Sequence, residues 1–475
     1  MKKTKIVCTL GPACNDEATM RHMLLSGMNV ARFNFSHGTH EEHKKRMDLF
    51  RMVRDELAMP AALLLDTKGP EIRIKKFVND TVVLVNGQLF TLTIDEILGD
   101  ETRVAITYRN LIGDILPGCK VLIDDGKVEM IVETIEKTNI KCRVTRGGKL
   151  SNNKGINIPT IHLSMPYLSE VDKQDLLFGI QEDADYIAAS FVRNQEDVLS
   201  IRQFLDEHGG QWIRIISKIE NQEGIDHFES ILEHSDGIMV ARGDMGVEVD
   251  YEKLPGIQKR FITRCYQSGK VVITATQMLE SMIVNPYPTR AEISDVANAV
   301  FDGTSAVMLS GETASGAHPI QAVQAMSKIA MQAEKDIFSL PQYKGVVHDI
   351  RLGDVTNAIS DATCTTARDV LAKAIIAVTK SGKTARNMSK FRAKEPIIAP
   401  THSRKTYHQL ALNWGVYSIE VPIMSTTDEM FREAIKAAKA MNYIVNGDVV
   451  VVSAGVPLGM VGGTNLVKVQ VVGDE

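Results

Sequence analysis

Short, uniformly apolar runs alternate with longer stretches of helical period along residues 1–69, and again from 167 to 340. The runs predict strands at 5–10, 29–33, 62–66, 186–190, 213–218, 237–240, 271–274 and 306–309. Strands with no polar face are buried on both sides, which in a chain alternating strand and helix means a parallel sheet. The helical stretches open at capping residues, with Asn15 ahead of DEATMRHMLLSG and Asn194 ahead of QEDVLSIRQFL. Eight strand–loop–helix units predict an α/β fold closed into a (β/α)8 TIM barrel rather than an open sheet.

Between residues 70 and 166 the period changes. TVVLV, QLFTLTI, RVAITY and KVEMIVETI alternate apolar and polar positions, and Asn86-Gly87 and Asp125-Gly126 supply turns. That segment predicts a small β-barrel domain inserted after the third strand and ending near 159–166. LPQYKGVVHDIRLGD, from residue 340, has no period and predicts a linker. Residues 350–475 predict a C-terminal αβ domain, with a helix at 356–372 ahead of strands in AIIAVT, PIIAP, VYSIEV and DVVVVS.

Composition narrows the class. A chain of 475 residues suffices for about three domains, and 44% hydrophobic with 24% charged residues is an ordinary globular balance. A net charge of −5 argues against nucleic acid or an anionic membrane as partner. No apolar run approaches the roughly 18 residues that span a bilayer. The basic opening MKKTK leads to only a few apolar residues before Gly11-Pro12, so it predicts a first strand rather than a signal peptide. Cys8, Cys14, Cys119, Cys142, Cys265 and Cys364 form no C-x-x-C pair, which predicts reduced thiols, a cytoplasmic setting and no zinc site.

Polar residues gather where the predicted strands end. IRIISKIENQEG carries Lys218 and Glu220 on one face with Ile219 on the other. ARFNFSHG places Arg32, Asn34 and Ser36 together, opposite Phe33 and Phe35. The third strand ends in Asp66-Thr67 and the sixth in Arg242-Gly243-Asp244. Thr276-Gln277 follow the seventh strand, and Ser310 and Glu312 the eighth. Each alone reads as a solvated strand end or a structural ion pair. Together, at the face where barrel chemistry gathers, they predict one mouth. Glu220 and Asp244 suit a hard divalent cation such as Mg²⁺, and Arg32 and Lys218 suit a phosphorylated carboxylic acid. Backbone N–H groups of 242–244, if they open a short helix, suit its carboxylate.

KIVCTLGPA, MNVARFNFSHG, LLLDTKGPEIR, ISKIENQEG, DGIMVARGDMGVE, ITATQMLESM, PTRAEISDVANAVFDGTSAVMLSGETASG and a terminal TNLVKV run in this order over essentially the whole chain. They resemble the pyruvate kinase family. The resemblance implies phosphoryl transfer from phosphoenolpyruvate to ADP, giving pyruvate and ATP. It implies that Arg32 contacts the phosphoryl group, that Lys218 stabilises its transition-state charge, and that Glu220 and Asp244 hold Mg²⁺ (or Mn²⁺). It assigns the substrate carboxylate to Gly243, Asp244 and Thr276, K⁺ to Asn34, Ser36, Asp66 and Thr67, and nucleotide contacts to Asn34, Phe35, Ser36, His37, Arg73 and Lys154. The inserted domain becomes a lid, and the assembly a homotetramer. Glu71 matches potassium-dependent members, whereas Ile74 and Asp250 depart from the usual threonine and proline.

AVTKSGKTAR lacks the first glycine of a P-loop, since Ala377 stands there. By resemblance its Thr379, Ser381, Gly382, Lys383 and Thr384 form an effector-phosphate pocket. The terminal loop AGVPLGMVGGTN carries neither the aromatic nor the arginine of bisphosphate-activated relatives, so a monophosphate activator is expected. A Mg²⁺-dependent barrel aldolase or lyase acting on a pyruvate enolate is the rival enzyme, but it needs no inserted domain. A catalytically silent effector-binding protein would tolerate loss of Lys218, Glu220 or Asp244, and all three are present.

Overall fold

The computed structural model describes residues 1–159, 161–339, 354–457 and 463–473. Eight parallel strands close into a barrel: Lys5–Thr9 (β1), Val30–Asn34 (β2), Ala62–Asp66 (β3), Tyr186–Ala189 (β4), Arg214–Ile219 (β5), Gly237–Ala241 (β6), Val271–Ala275 (β7) and Ala306–Leu309 (β8). β1 completes the ring by pairing with both β8 and β2, through Lys5↔Ala306 and Val7↔Val30. β2 and β5–β7 each run a residue past their predicted ends. The added residues, Asn34, Ile219, Ala241 and Ala275, extend the ladder, as Asn34 pairs with Asp66 and Ala241 with Ala275.

Side-chain alternation along these strands builds two cores. Val7, Val30, Leu64, Ala188, Ile216, Met239 and Ile273 fill the barrel, and Ala411 and Leu412 of the C-terminal unit plug its floor. Ile6, Ala31, Phe33, Ile215, Ile219 and Val240 face outward and pack against the helices. Asn194 caps the helix Gln195–Glu207 by accepting from the Asp197 N–H at 3.1 Å. The first helix, Glu17–Ser26, is capped by Asp16 and not by Asn15: Asp16 accepts from the Thr19 N–H at 2.8 Å. Asn15 instead accepts from Arg46 at 2.8 Å.

The insertion after β3 is a seven-stranded sheet and a two-stranded ribbon, Thr81–Leu84 with Gly148–Ser151. Its edge strands meet where Ile74 bridges Ile106, which curls the sheet around its own core of Phe90, Leu92, Val121, Met130 and Ile140. Gly87 and Gly126 turn with positive φ, of 83° and 76°. The C-terminal unit is a five-stranded sheet ordered Val416–Glu420, Ile397–Thr401, Ala374–Ala377, Val449–Ala454 and Leu466–Val471. Its last strand is antiparallel and has no buried residue, so it gives no buried run to read. Nearly all of the expected linker (340–353) and residues 458–462 of the terminal loop lie outside the described residues. Among the described residues no helix is long and apolar enough to cross a membrane.

Candidate active site

Asp66, at the end of β3 and fully buried, is the hub of the mouth. Its Oδ2 accepts from Arg32 Nε at 2.6 Å, and its Oδ1 lies 3.2 Å from the Lys218 ammonium. Burial alone would raise the Asp66 carboxyl, but Arg32 and Lys218 outweigh it and hold the pKa below the usual carboxylate value. Arg32 also donates from Nη1 to the Thr9 hydroxyl at 2.8 Å, while its Nη2 has no partner among the described residues. Lys218 donates to Ser190 Oγ at 2.7 Å and sits 3.0 Å from Glu220 Oε1. Burial disfavours its charged form, yet Asp66 and Glu220 more than offset that and push its pKa above the usual lysine value. The ammonium is therefore a fixed charge at neutral pH.

Glu220 is the counterpart. Its Oε2 accepts from the Phe191 N–H at 2.6 Å, and its buried Oε1 accepts no hydrogen bond despite the nearby ammonium. Burial, eased by Lys218 and aggravated by Asp244, lifts its pKa to about 7. Asp244 lies in the short helix Arg242–Glu248 directly after β6, as the 242–244 stretch predicts. Thr276 and Gln277 adopt left-handed φ values of 67° and 54°, a strained backbone for non-glycine residues. Arg242 holds that bend by donating to the Ala275 and Thr276 carbonyls at 3.2 and 2.7 Å. The Thr276 hydroxyl accepts from the Gly243 N–H at 2.8 Å, which ties the β6 and β7 ends together.

Between the inserted domain and the mouth lies a cleft of about 830 Å³. His37, Glu71, Arg73, Lys154 and Asp244 all line it. Arg73 is paired with Glu71 at 2.7 Å and Lys154 with Asp124 at 2.9 Å. Asn34 lies in register with Asp66, and its side-chain Oδ1 accepts from the Ser36 N–H at 3.2 Å. The Phe35 ring turns away into the outer core and stacks on His43, so only its backbone faces this region. Glu312 is not at the mouth's working surface. It is buried and accepts from the Ser310 and Leu279 N–H groups at 2.7 and 3.1 Å, bracing the loops after β7 and β8.

In the C-terminal unit, Thr379, Ser381, Lys383 and Thr384 line a cavity of about 280 Å³. Gly382 adopts φ 81° just before the helix Lys383–Ser389, and the Thr384 hydroxyl meets that of Thr464 at 3.0 Å.

Reading strand ends for charge passed over Thr9 and Ser190, the small hydroxyls that end β1 and follow β4. The available signal was positional, since both stand at the same level as the charged residues of neighbouring strands. Phe191 gave none: its contribution is a backbone N–H, presented by a left-handed φ of 55°.

Residues 1–323 match the family described as pyruvate kinase, barrel domain, and residues 357–470 that described as pyruvate kinase, alpha/beta domain. The chain is 49% identical over 473 residues to the pyruvate kinase of Clostridium acetobutylicum, covering 99% of this chain and 100% of that one. Against the pyruvate kinase of Clostridium perfringens identity is 47% over 478 residues, covering 99% and 100%. Against that of Staphylococcus haemolyticus it is 48% over 480 residues, covering all of this chain and 81% of the relative.

Proposed function

The chain belongs to the pyruvate kinase family, and on that premise we propose that it transfers the phosphoryl group of phosphoenolpyruvate to ADP, giving pyruvate and ATP as the closing step of glycolysis in the cytoplasm. The observation that carries the reading is the buried Lys218 ammonium, held among Asp66, Ser190 and Glu220. A fixed cation in a buried site opposes the charge that spreads over a phosphoryl group in transfer, where positioning and electrostatics do most of the work. Arg32, with Nε and Nη1 engaged, has Nη2 left for a phosphoryl oxygen. Gly243, Asp244 and Thr276 are taken to receive the substrate carboxylate.

Glu220 fits a divalent cation on its own evidence: a buried carboxylate oxygen without a hydrogen bond, and a pKa lifted to about 7 by burial. Among the described residues no three His, Cys, Asp or Glu cluster as a metal site. Mg²⁺ (or Mn²⁺) would rest on Glu220 and Asp244 and complete its shell with substrate oxygens and water, as that ion commonly does. When bound, the ion neutralises phosphate and enolate oxygens. Asn34, Ser36, Asp66 and Thr67 give the all-oxygen set that K⁺ takes, and the Asn34↔Asp66 register brings the two strand ends together.

We take residues 1–69 and 167–340 as the catalytic barrel, 70–166 as a lid and 350–475 as the effector and oligomerisation unit of a homotetramer. The lid walls the cleft in which His37, Arg73 and Lys154 would meet the nucleotide, and its closure keeps water from the phosphoryl group. The C-terminal cavity is read as the site of a monophosphate activator, a sugar monophosphate or AMP. A coupled assay of pyruvate formed from phosphoenolpyruvate and ADP, with and without K⁺ and with each divalent ion, tests the reaction. Titration of monophosphates against fructose 1,6-bisphosphate at subsaturating phosphoenolpyruvate tests the activator. No pyruvate under any of these conditions would refute the function, and activation by the bisphosphate alone would refute the effector reading.

A further inference from the structure

Ser190 stands where three parts of the molecule meet. Its hydroxyl is the nearest partner of the Lys218 ammonium, at 2.7 Å against 3.0 Å for Glu220 and 3.2 Å for Asp66. The same hydroxyl approaches the Thr67 carbonyl at 2.6 Å and Asp66 Oδ1 at 3.1 Å, so its single proton is given to that side while its lone pair receives Lys218. Its backbone faces the inserted domain's two connections. On the outgoing connection, Gly69 has φ 71° and lies so close that a Cβ there would be 2.7 Å from the Ser190 carbonyl oxygen. On the returning connection, the buried Tyr167 donates its hydroxyl to that same carbonyl at 2.8 Å. Arg193 pins the returning segment just before Tyr167, donating to the Leu163 and Met165 carbonyls at 3.0 Å each.

We propose that Ser190 is a positioning residue that couples the two lid connections to the Lys218 ammonium. Rotation of the inserted domain about the barrel pulls on its connections at 67–70 and 163–167, where Gly69 and Tyr167 meet the Ser190 carbonyl. The Ser190 hydroxyl then carries that displacement to Lys218 within a single residue. A phosphoryl-transfer site would gain from such a link, because it would tie the position of the cation to closure of the cleft. The inference rests on the proposed role of Lys218 and extends it to the residue that sets where its charge lies.

A double-mutant cycle in the full-length enzyme tests this. Tyr167→Phe removes the connection's hold on Ser190 without touching the active site, and Ser190→Ala removes the hold on Lys218. We expect Tyr167→Phe to lower kcat about tenfold, and Ser190→Ala somewhere between tenfold and about a hundredfold, the scale of a small misplacement of a catalytic group. The dissociation constant of phosphoenolpyruvate should stay within about twofold in both, since the coupling acts on kcat and not on binding. The double variant should be no slower than Ser190→Ala alone, and Ser190→Thr, which keeps the hydroxyl, should recover most of the rate. Ser190→Cys replaces the alanine variant in the cycle if the latter does not fold. Additive losses, or a Tyr167→Phe enzyme altered in melting temperature but not in kcat, would overturn the coupling. Lys218→Met is assayed alongside: if it still made ATP, the functional reading itself would fall, whereas a dead Lys218→Met with an additive cycle overturns the coupling alone.

Discussion

Replacing Asp66 by asparagine strips the one charge that two buried cations share. The carboxylate touches Arg32 at 2.6 Å and Lys218 at 3.2 Å, with no exposed surface on Asp66. At such separations and an effective dielectric of about 20, each contact carries about 5 kcal/mol of attraction, largely offset by the desolvation of the ions. Removing one member leaves the desolvation in place and takes the attraction away, and one cation then faces an amide N–H2 instead of an oxygen. The expected loss is about 3–5 kcal/mol of stability, or roughly 10 °C in melting temperature for a domain of this size. The burial of Asp66 favours its neutral form, but Arg32 and Lys218 hold its folded pKa below 3.8, its usual value. The stabilisation it supplies is therefore complete above about pH 4 and lost as pH falls through the folded pKa. Wild type and Asp66→Asn should differ by a constant amount from pH 6 to 9 and converge in acid. Thermal denaturation across that range, with the exposed Arg264–Glu229 pair broken as a control worth less than about 1 kcal/mol, measures it. A difference under about 1 kcal/mol at pH 7, or one that grows toward acid, would refute the hub and with it the fixed charge on Lys218.

Other substitutions probe separate parts of the argument. Lys218→Met should abolish ATP formation yet leave metal-dependent proton exchange on pyruvate measurable by isotope incorporation, since it removes the cation opposite the phosphoryl group and keeps both carboxylates. Burial lowers the Lys5 pKa from its usual 10.5 to about 7, while its Nζ donates to the Val416 carbonyl at 2.6 Å across the barrel floor. The unfolded chain thus holds the extra proton between about pH 7 and 10.5, and stability rises with pH over that window. Urea denaturation should show wild type gaining a few kcal/mol on Lys5→Met from pH 7 to 10; a flat difference counts against a buried, strained ammonium. Gly237→Ala would set a Cβ 2.4 Å from Val271 Cγ2 and should destabilise the barrel by about 1–3 kcal/mol, with KM for phosphoenolpyruvate unchanged in the coupled assay.

Much of the mouth was legible because a strand alternates strictly. Once Ile219 was assigned to the outer core, Lys218 and Glu220 had to face the other way, and the outer core does contain Ile219. The same rule separated Arg32 and Asn34 from Phe33. Charge made these positions conspicuous, since an ionised group in an apolar run needs a reason. The hydroxyls of Thr9 and Ser190 raised no such flag, because serine and threonine sit at strand ends for ordinary turn chemistry. Their importance lies in partners 23 and 28 residues away along the chain, Arg32 and Lys218. The first helix cap failed for a local reason: Asn15 and Asp16 are adjacent, both are good caps, and the short turn Pro12–Cys14 consumed the first of them.

By itself the sequence determined what repeats. Eight buried runs alternating with helices leave little but a closed parallel barrel, a change of period marks an inserted β domain, and strand ends of one polarity mark the working face. Those outcomes follow from near-neighbour geometry, the period of a strand or helix and the few turns that join them. The tertiary structure alone decided which charges meet. Glu220 Oε1 is left without a hydrogen bond, Asp66 is shared by two cations, and Ser190 touches Lys218 on one side and the inserted domain's connections on the other. Electrostatic energy depends on distance and burial, and neither is encoded in the spacing of residues along the chain.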